Sequence, residues 1–202
     1  MSARRTIRVA TAQYPIDQLA TMDAARDKIA RWVREAASQG AQLVVFPEYG
    51  AMELSVIRGL QVAADVPASL EAVSEMLGDI DALHAELAQQ HRVYILAASG
   101  PSRRVDGRYV NVARLMSPTG QAGTQEKLIM TPFERDWGIV GGQHQRVFDT
   151  RLGRIGIAIC YDSEFPEQAP VRGSLLVATD LGCTPKAVES SCRRGGHRAK
   201  VW

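Results

Sequence analysis

The sequence predicts an α/β fold of layered sheets and helices. Three observations carry this. The apolar runs at 41–48 and 93–100 are continuous rather than alternating, the mark of strands covered on both faces. Residues 18–39 repeat apolar side chains at helical spacing. Strand-like and helix-like segments alternate through the first half before adjacent strands take over.

"TIRVATAQY" (6–14) is rich in β-branched residues and predicts the first strand. The helix predicted over 18–39 places Met22, Ala25, Ile29, Trp32, Val33 and Ala36 on one face. Asp17 is its expected N-cap and Gly40 its expected stop. "AQLVVFPE" (41–48) follows as a buried strand. Pro67 to His91 predicts one or two helices, and "VYILAASG" (93–100) another buried strand. Residues 103–127 predict a β-meander, with Asp106-Gly107 and Pro118-Thr119-Gly120 as turn signals. Two more strands are expected in "RVFDTRLGRIGIAIC" (146–160), with Gly153 near their turn.

Composition narrows the class. A hydrophobic share of 46% and a charged share of 23% are ordinary for a globular protein. Residues 1–202 read as one domain, since a chain of this length carries one sizeable core. A net charge of +2 gives no argument for a nucleic-acid partner. No apolar run approaches the ~20 residues that cross a bilayer, so no membrane partner is expected. Cys160, Cys183 and Cys192 are odd in number and widely spaced, which fits neither a disulfide framework nor a zinc site. A cytoplasmic protein with reduced thiols and no metal is the expectation.

Active groups of α/β folds gather at the carboxyl ends of strands. Glu48, Lys127 and Cys160 each sit at such an end. A cysteine attacks as thiolate and needs a base or a lowered pKa. A glutamate in reach can take the thiol proton and later activate water. A lysine can stabilise an oxyanion, with the backbone N–H of Tyr161 as a second donor. Such a set suits acyl transfer at a carbon bonded to nitrogen. Taken singly, each residue also has a plainer reading. Cys160 reads as a packed core residue, Glu48 as a loop carboxylate or N-cap, and Lys127 as a solvated strand-end charge.

Three blocks, "LVVFPEYG" (43–50), "EKLIMTPFERDWGIVGG" (126–142) and "IGIAICYDSEFPE" (155–167), resemble the signatures of the carbon–nitrogen hydrolase, or nitrilase, superfamily. They stand in the family's order, and "IRVATAQYP" resembles its first strand. The resemblance covers about residues 6–168. It implies an α-β-β-α sandwich and a Glu–Lys–Cys triad. Glu48 would be general base, Lys127 would stabilise the tetrahedral intermediate and Cys160 would be nucleophile. Glu134 in "PFERDWG" looks like a further family glutamate that orients the lysine and the substrate. "CYDSEFPE" looks more like the amidase and carbamoylase branches than the nitrilases. The family needs no metal or organic cofactor, and its members suggest homodimers built through an outer helical layer. The implied function is hydrolysis of a small linear amide or carbamoyl compound through a Cys160 thioester.

The resemblance stops near residue 168. "SLLVATD" (174–180) still reads as a strand, but 169–202 otherwise resembles the product of truncation or a shifted reading frame. "SCRRGGHRAK" (191–200) reads as a disordered basic tail. Two rivals follow: an inactive scaffold that keeps the triad without a complete pocket, and a thiol redox protein using Cys183 and Cys192. His84 and His91 lie seven apart and read as solvated helix histidines. P-loop, G-x-G-x-x-G and G-x-S-x-G patterns are absent from the sequence.

Overall fold

The computed structural model describes residues 6–165, 175–179 and 199–201. Strands β1 (Ile7–Thr11), β2 (Leu43–Val45) and β3 (Tyr94–Leu96) run parallel at the centre of a first sheet. The helices between them are crossovers of the kind that parallel strands require. Antiparallel strands β4 (Gly100–Arg103), β5 (Tyr109–Ser117) and β6 (Gly120–Glu126) extend this sheet as the expected meander. A second sheet is built from β7 (Val147–Thr150), β8 (Gly153–Ile159) and β9 (Leu175–Thr179). The strand expected in "SLLVATD" is β9, parallel to β8.

The first two helices of length follow from their caps and faces. α1 (Met22–Ser38) starts four residues later than the sequence suggests, because Thr21 rather than Asp17 is its N-cap. The Thr21 hydroxyl accepts from the Ala24 N–H at 3.1 Å, which satisfies one of the helix's orphan donors. Asp17 instead pairs with Lys28 at 2.9 Å. The helix ends as expected, with Gly40 at φ 79, a conformation in which a Cβ is disfavoured. After a short helix α2 (Leu60–Ala64), α3 (Val66–His91) is one continuous helix, capped by Asp65 with Pro67 in its first turn.

Alternation along the strands then sets the layers. Val44, Phe46 and Ile95 face Ile29, Val33, Val73, Leu77 and Ile80 of α1 and α3. Leu43, Val45, Leu96 and Leu115 face Ile155, Ile157 and Ile159 of the second sheet. The order is helix, sheet, sheet. The outer helical layer expected beyond the second sheet lies outside the described residues, as do Cys183, Cys192 and His197. Ala199 and Lys200, expected in a disordered tail, instead lie with Val201 in strand β10 (Ala199–Val201) beside β1. An edge strand offers unpaired backbone groups to any nearby segment. Among the described residues, no helix is long and apolar enough to cross a membrane.

His84 corrects a further expectation. It is buried on the inner face of α3, where its ring meets Phe46 edge-on at 5.4 Å. The Ile80–His84–Ala88 spacing carries it inward with its apolar neighbours. Burial drives its pKa down to about 4, so the ring stays neutral. Nearby, Glu53 is buried with Lys28 at 2.7 Å and accepts a hydrogen bond from the Tyr14 hydroxyl. The Lys28 ammonium also lies 4.0 Å from the centroid of the Tyr14 ring.

Candidate active site

Three strand ends meet between the two sheets. Glu48 follows β2 and Pro47, Lys127 follows β6, and Cys160 follows β8. Glu134 comes from the short helix α4 (Pro132–Asp136), whose capping box with Thr131 sets its orientation. The Thr131 N–H and hydroxyl both donate to Glu134 Oε2 at 2.9 Å.

Lys127 is the hub. Its Nζ donates to Glu48 Oε1 and to Glu134 Oε2, both at 2.7 Å. All three side chains are at most 2% exposed. An ammonium has three protons, so two are engaged by carboxylates and one is left for a further acceptor. The half-buried Cys160 thiol shares a side-chain hydrogen bond with the Glu48 carboxyl. The structure thus brings together four of the five residues singled out in the sequence as side chains. Tyr161 follows Cys160, but its ring is 36% exposed and packs edge-on against Phe165 at 5.2 Å.

The electrostatics follow from burial. Desolvation raises the Glu48 pKa, against the hydrogen bond and charge of Lys127 and the hydrogen bond of Cys160. Burial also acts on Glu134, but bonds from Lys127, Tyr49 and Thr131 outweigh it and hold that carboxyl below its ordinary value. Desolvation pulls Lys127 down, and Glu134 and Glu48 together push it above its ordinary value. The environment therefore separates the two carboxylates. Glu48 is raised and Glu134 is lowered.

Cys160 has φ 48, a left-handed conformation that is uncommon for a side chain other than glycine. Such strain costs on the order of 1–3 kcal/mol and persists where surrounding bonds enforce it. It turns the thiol out of the line of β8 at the start of a 3₁₀ turn over Cys160–Glu164.

Sequence reasoning missed three residues here. Asn111 on β5 donates from Nδ2 to Glu48 Oε1 at 3.1 Å and approaches Glu134 Oε1 at 3.4 Å. Tyr49, also left-handed at φ 51, donates its hydroxyl to Glu134 Oε1 at 2.7 Å. Asp162 is buried two residues past the cysteine. Asn111 carried one signal, a polar side chain inside the apolar strand "YVNVARLM". Among the described residues, no group of three or more His, Cys, Asp or Glu side chains is arranged to hold a metal ion.

Helices lie against one sheet with a second sheet behind it, and Glu48, Lys127 and Cys160 stand at three strand ends beside Glu134 of α4. The model of the carbon-nitrogen hydrolase family matches residues 8–174, and the chain belongs to that family. It is 30% identical to a probable hydrolase, YhcX, of Bacillus subtilis, over 88% of this chain and 34% of that one. It is 34% identical to the bifunctional nitrilase/nitrile hydratase NIT4B of Nicotiana tabacum, over 69% of this chain and 43% of that one. Among solved structures, it is similar to an amidase from Nesterenkonia sp. AN1, in which acrylamide had added at the active-site cysteine. That likeness has a TM-score of 0.63 at 20% identity and covers 87% of this chain and 66% of the other. The chain spans between about a third and a half of the length of these two curated relatives.

Proposed function

We propose that the chain hydrolyses carbon–nitrogen bonds other than peptide bonds, in a small linear amide or carbamoyl compound, through a thioester on Cys160. One observation carries this reading: a thiol hydrogen-bonds a buried carboxyl, which in turn is tied to a buried ammonium with a proton to spare. Glu48 takes the Cys160 proton, a transfer that its raised pKa favours. The step conserves charge, so the buried site need not accommodate a new net ion. The thiolate sulfur then bonds to the carbonyl carbon, and the oxygen takes up the displaced electron pair. Lys127 stabilises that oxyanion with its third proton, and the Tyr161 N–H is a second donor. Collapse breaks the C–N bond as Glu48 returns the proton to the leaving nitrogen. Glu48 next deprotonates a water, which attacks the thioester and releases the acid and the thiol.

Glu134 holds the lysine charged and in place. Water is the one co-substrate, and no cofactor enters the cycle. The Nesterenkonia amidase has an active-site cysteine, and Cys160 is assigned that role here. The "CYDSEFPE" block favours amides, and a short nitrile is the control that NIT4B suggests. A nucleophilic thiol has to stay reduced, which fits a cytoplasmic site of action.

The test is intact-protein mass spectrometry and ammonia release with short amides, N-carbamoyl compounds and nitriles. An acyl adduct on Cys160, and ammonia release abolished in Cys160→Ala, are expected. A folded protein that neither acylates nor releases ammonia would leave the inactive scaffold as the correct reading.

A further inference from the structure

The Asp162 carboxylate is 1% exposed and is spent entirely on backbone N–H groups of two separate segments. Oδ1 accepts from Leu128 at 3.0 Å and Ile129 at 2.8 Å. Oδ2 accepts from Ile159 at 3.2 Å and Leu128 at 3.3 Å. Leu128 and Ile129 directly follow Lys127, and Ile159 directly precedes Cys160. The lysine leaves the first sheet and the cysteine leaves the second. One side chain therefore ties together the two strand ends that carry them.

Apolar packing does not do this job. Ile157 and Ile159 pack on Leu96 and Leu115, but such contacts are non-directional and tolerate sliding. Hydrogen bonds to a carboxylate are directional and short. The same turn is held at its other side by the Ser163 hydroxyl, which donates to the Cys160 carbonyl at 2.7 Å. These bonds bracket the left-handed backbone at Cys160.

We propose that Asp162 is a positioning residue that sets the placement of the Cys160 sulfur relative to the Lys127 ammonium and the Glu48 carboxyl. It touches no reacting atom, and both of its oxygens accept from backbone N–H groups. The inference rests on Cys160 being the nucleophile. A misplacement of ~1 Å in such a site can cost about 10²-fold in rate.

Asp162→Asn in the full chain tests it. The substitution keeps the shape but places an NH₂ against a backbone N–H, so one arm of the tie breaks. Two readouts are taken: kcat and KM for the best amide, and the pH dependence of Cys160 alkylation by iodoacetamide. Peptide mass spectrometry separates Cys160 from Cys183 and Cys192. The expected result is kcat lowered about 10²-fold with KM held within about threefold. The alkylation midpoint should rise by at least about half a pH unit, as the thiolate loses its place beside Lys127. Should the variant not fold, Asp162→Glu keeps the charge and lengthens the arm, and must lower kcat by about tenfold or more at constant KM. An unchanged kcat and alkylation profile overturns the proposal. So does a fall in kcat with an unchanged alkylation profile, because that is what a general loss of structure gives. If wild type releases no ammonia yet the alkylation midpoint moves in the variant, the tie stands and the hydrolase reading fails.

Discussion

Replacing Lys127 by methionine probes the centre of the site without requiring any activity. The ammonium has two carboxylates at 2.7 Å. Each contact represents about 6 kcal/mol of gross attraction at an effective dielectric near 20. Most of that only offsets desolvation, so the cost of removing one partner from a buried pair is the better guide, about 3–5 kcal/mol. For a chain of this size that corresponds to a fall in Tm of about 6–20 °C. The sign with pH follows from the orphaned carboxyls. Without the lysine, Glu48 and Glu134 are raised above their unfolded values, so the folded chain holds protons that the unfolded chain has lost. Stability is then retained at acid pH and falls as pH rises, by up to about 1.4 kcal/mol per unit per group. Differential scanning calorimetry of Lys127→Met and wild type between pH 5 and 8 measures both effects. Adding Glu134→Gln should recover part of the loss, because one stranded charge disappears. A variant with wild-type Tm and no added pH dependence would falsify the buried acid–amine–acid cluster. If the amide reaction is established, the same variant should also lose at least ~10² in kcat.

Three other outcomes are expected. His84 has a folded pKa of about 4 and an unfolded value of 6.5, so its contribution is complete above 6.5 and is lost as pH falls toward 4. That amounts to about 3 kcal/mol, and His84→Leu should flatten this part of the Tm–pH curve; an equal slope in both proteins would refute it. Lys28→Met strands the buried Glu53 carboxylate and should cost about 3–5 kcal/mol in urea unfolding, whereas a loss below 1 kcal/mol would show the network to be dispensable. A Cβ on Gly141 would come within 2.5 Å of the Leu128 carbonyl oxygen. Gly141→Ala should therefore destabilise by about 1–3 kcal/mol and shift the Lys127 backbone signals in an NMR spectrum, and an unmoved spectrum would speak against it.

Much of the architecture was legible in residue order. Continuous apolar runs marked β2 and β3, and turn residues marked the meander of β4, β5 and β6. The three strand-end groups could be picked out because Glu48 and Cys160 stand where apolar runs stop and Lys127 ends the "QAGTQEK" strand. What pairing they would make could not be read, since Glu48 and Lys127 are brought together by sheet register and not by any local pattern. The helix start failed because two capping residues, Asp17 and Thr21, lie four apart and only tertiary contacts decide between them. Lys28 claimed Asp17, which left Thr21 for the helix. Tyr49 and Asp162 escaped notice for a related reason. Each acts through a bond to a segment far along the chain, and a single aromatic or acidic residue in a turn announces nothing.

The backbone at Cys160 has a consequence for how the protein can be improved. Glycine adopts that corner more easily than any residue with a side chain. A search that rewards heat resistance alone should therefore drift toward Cys160→Gly and deliver a sturdier protein without the sulfur that the proposed thioester needs. On the proposed reading robustness and reactivity compete at this one residue, so any selection for thermotolerance has to screen for the thiol at every round.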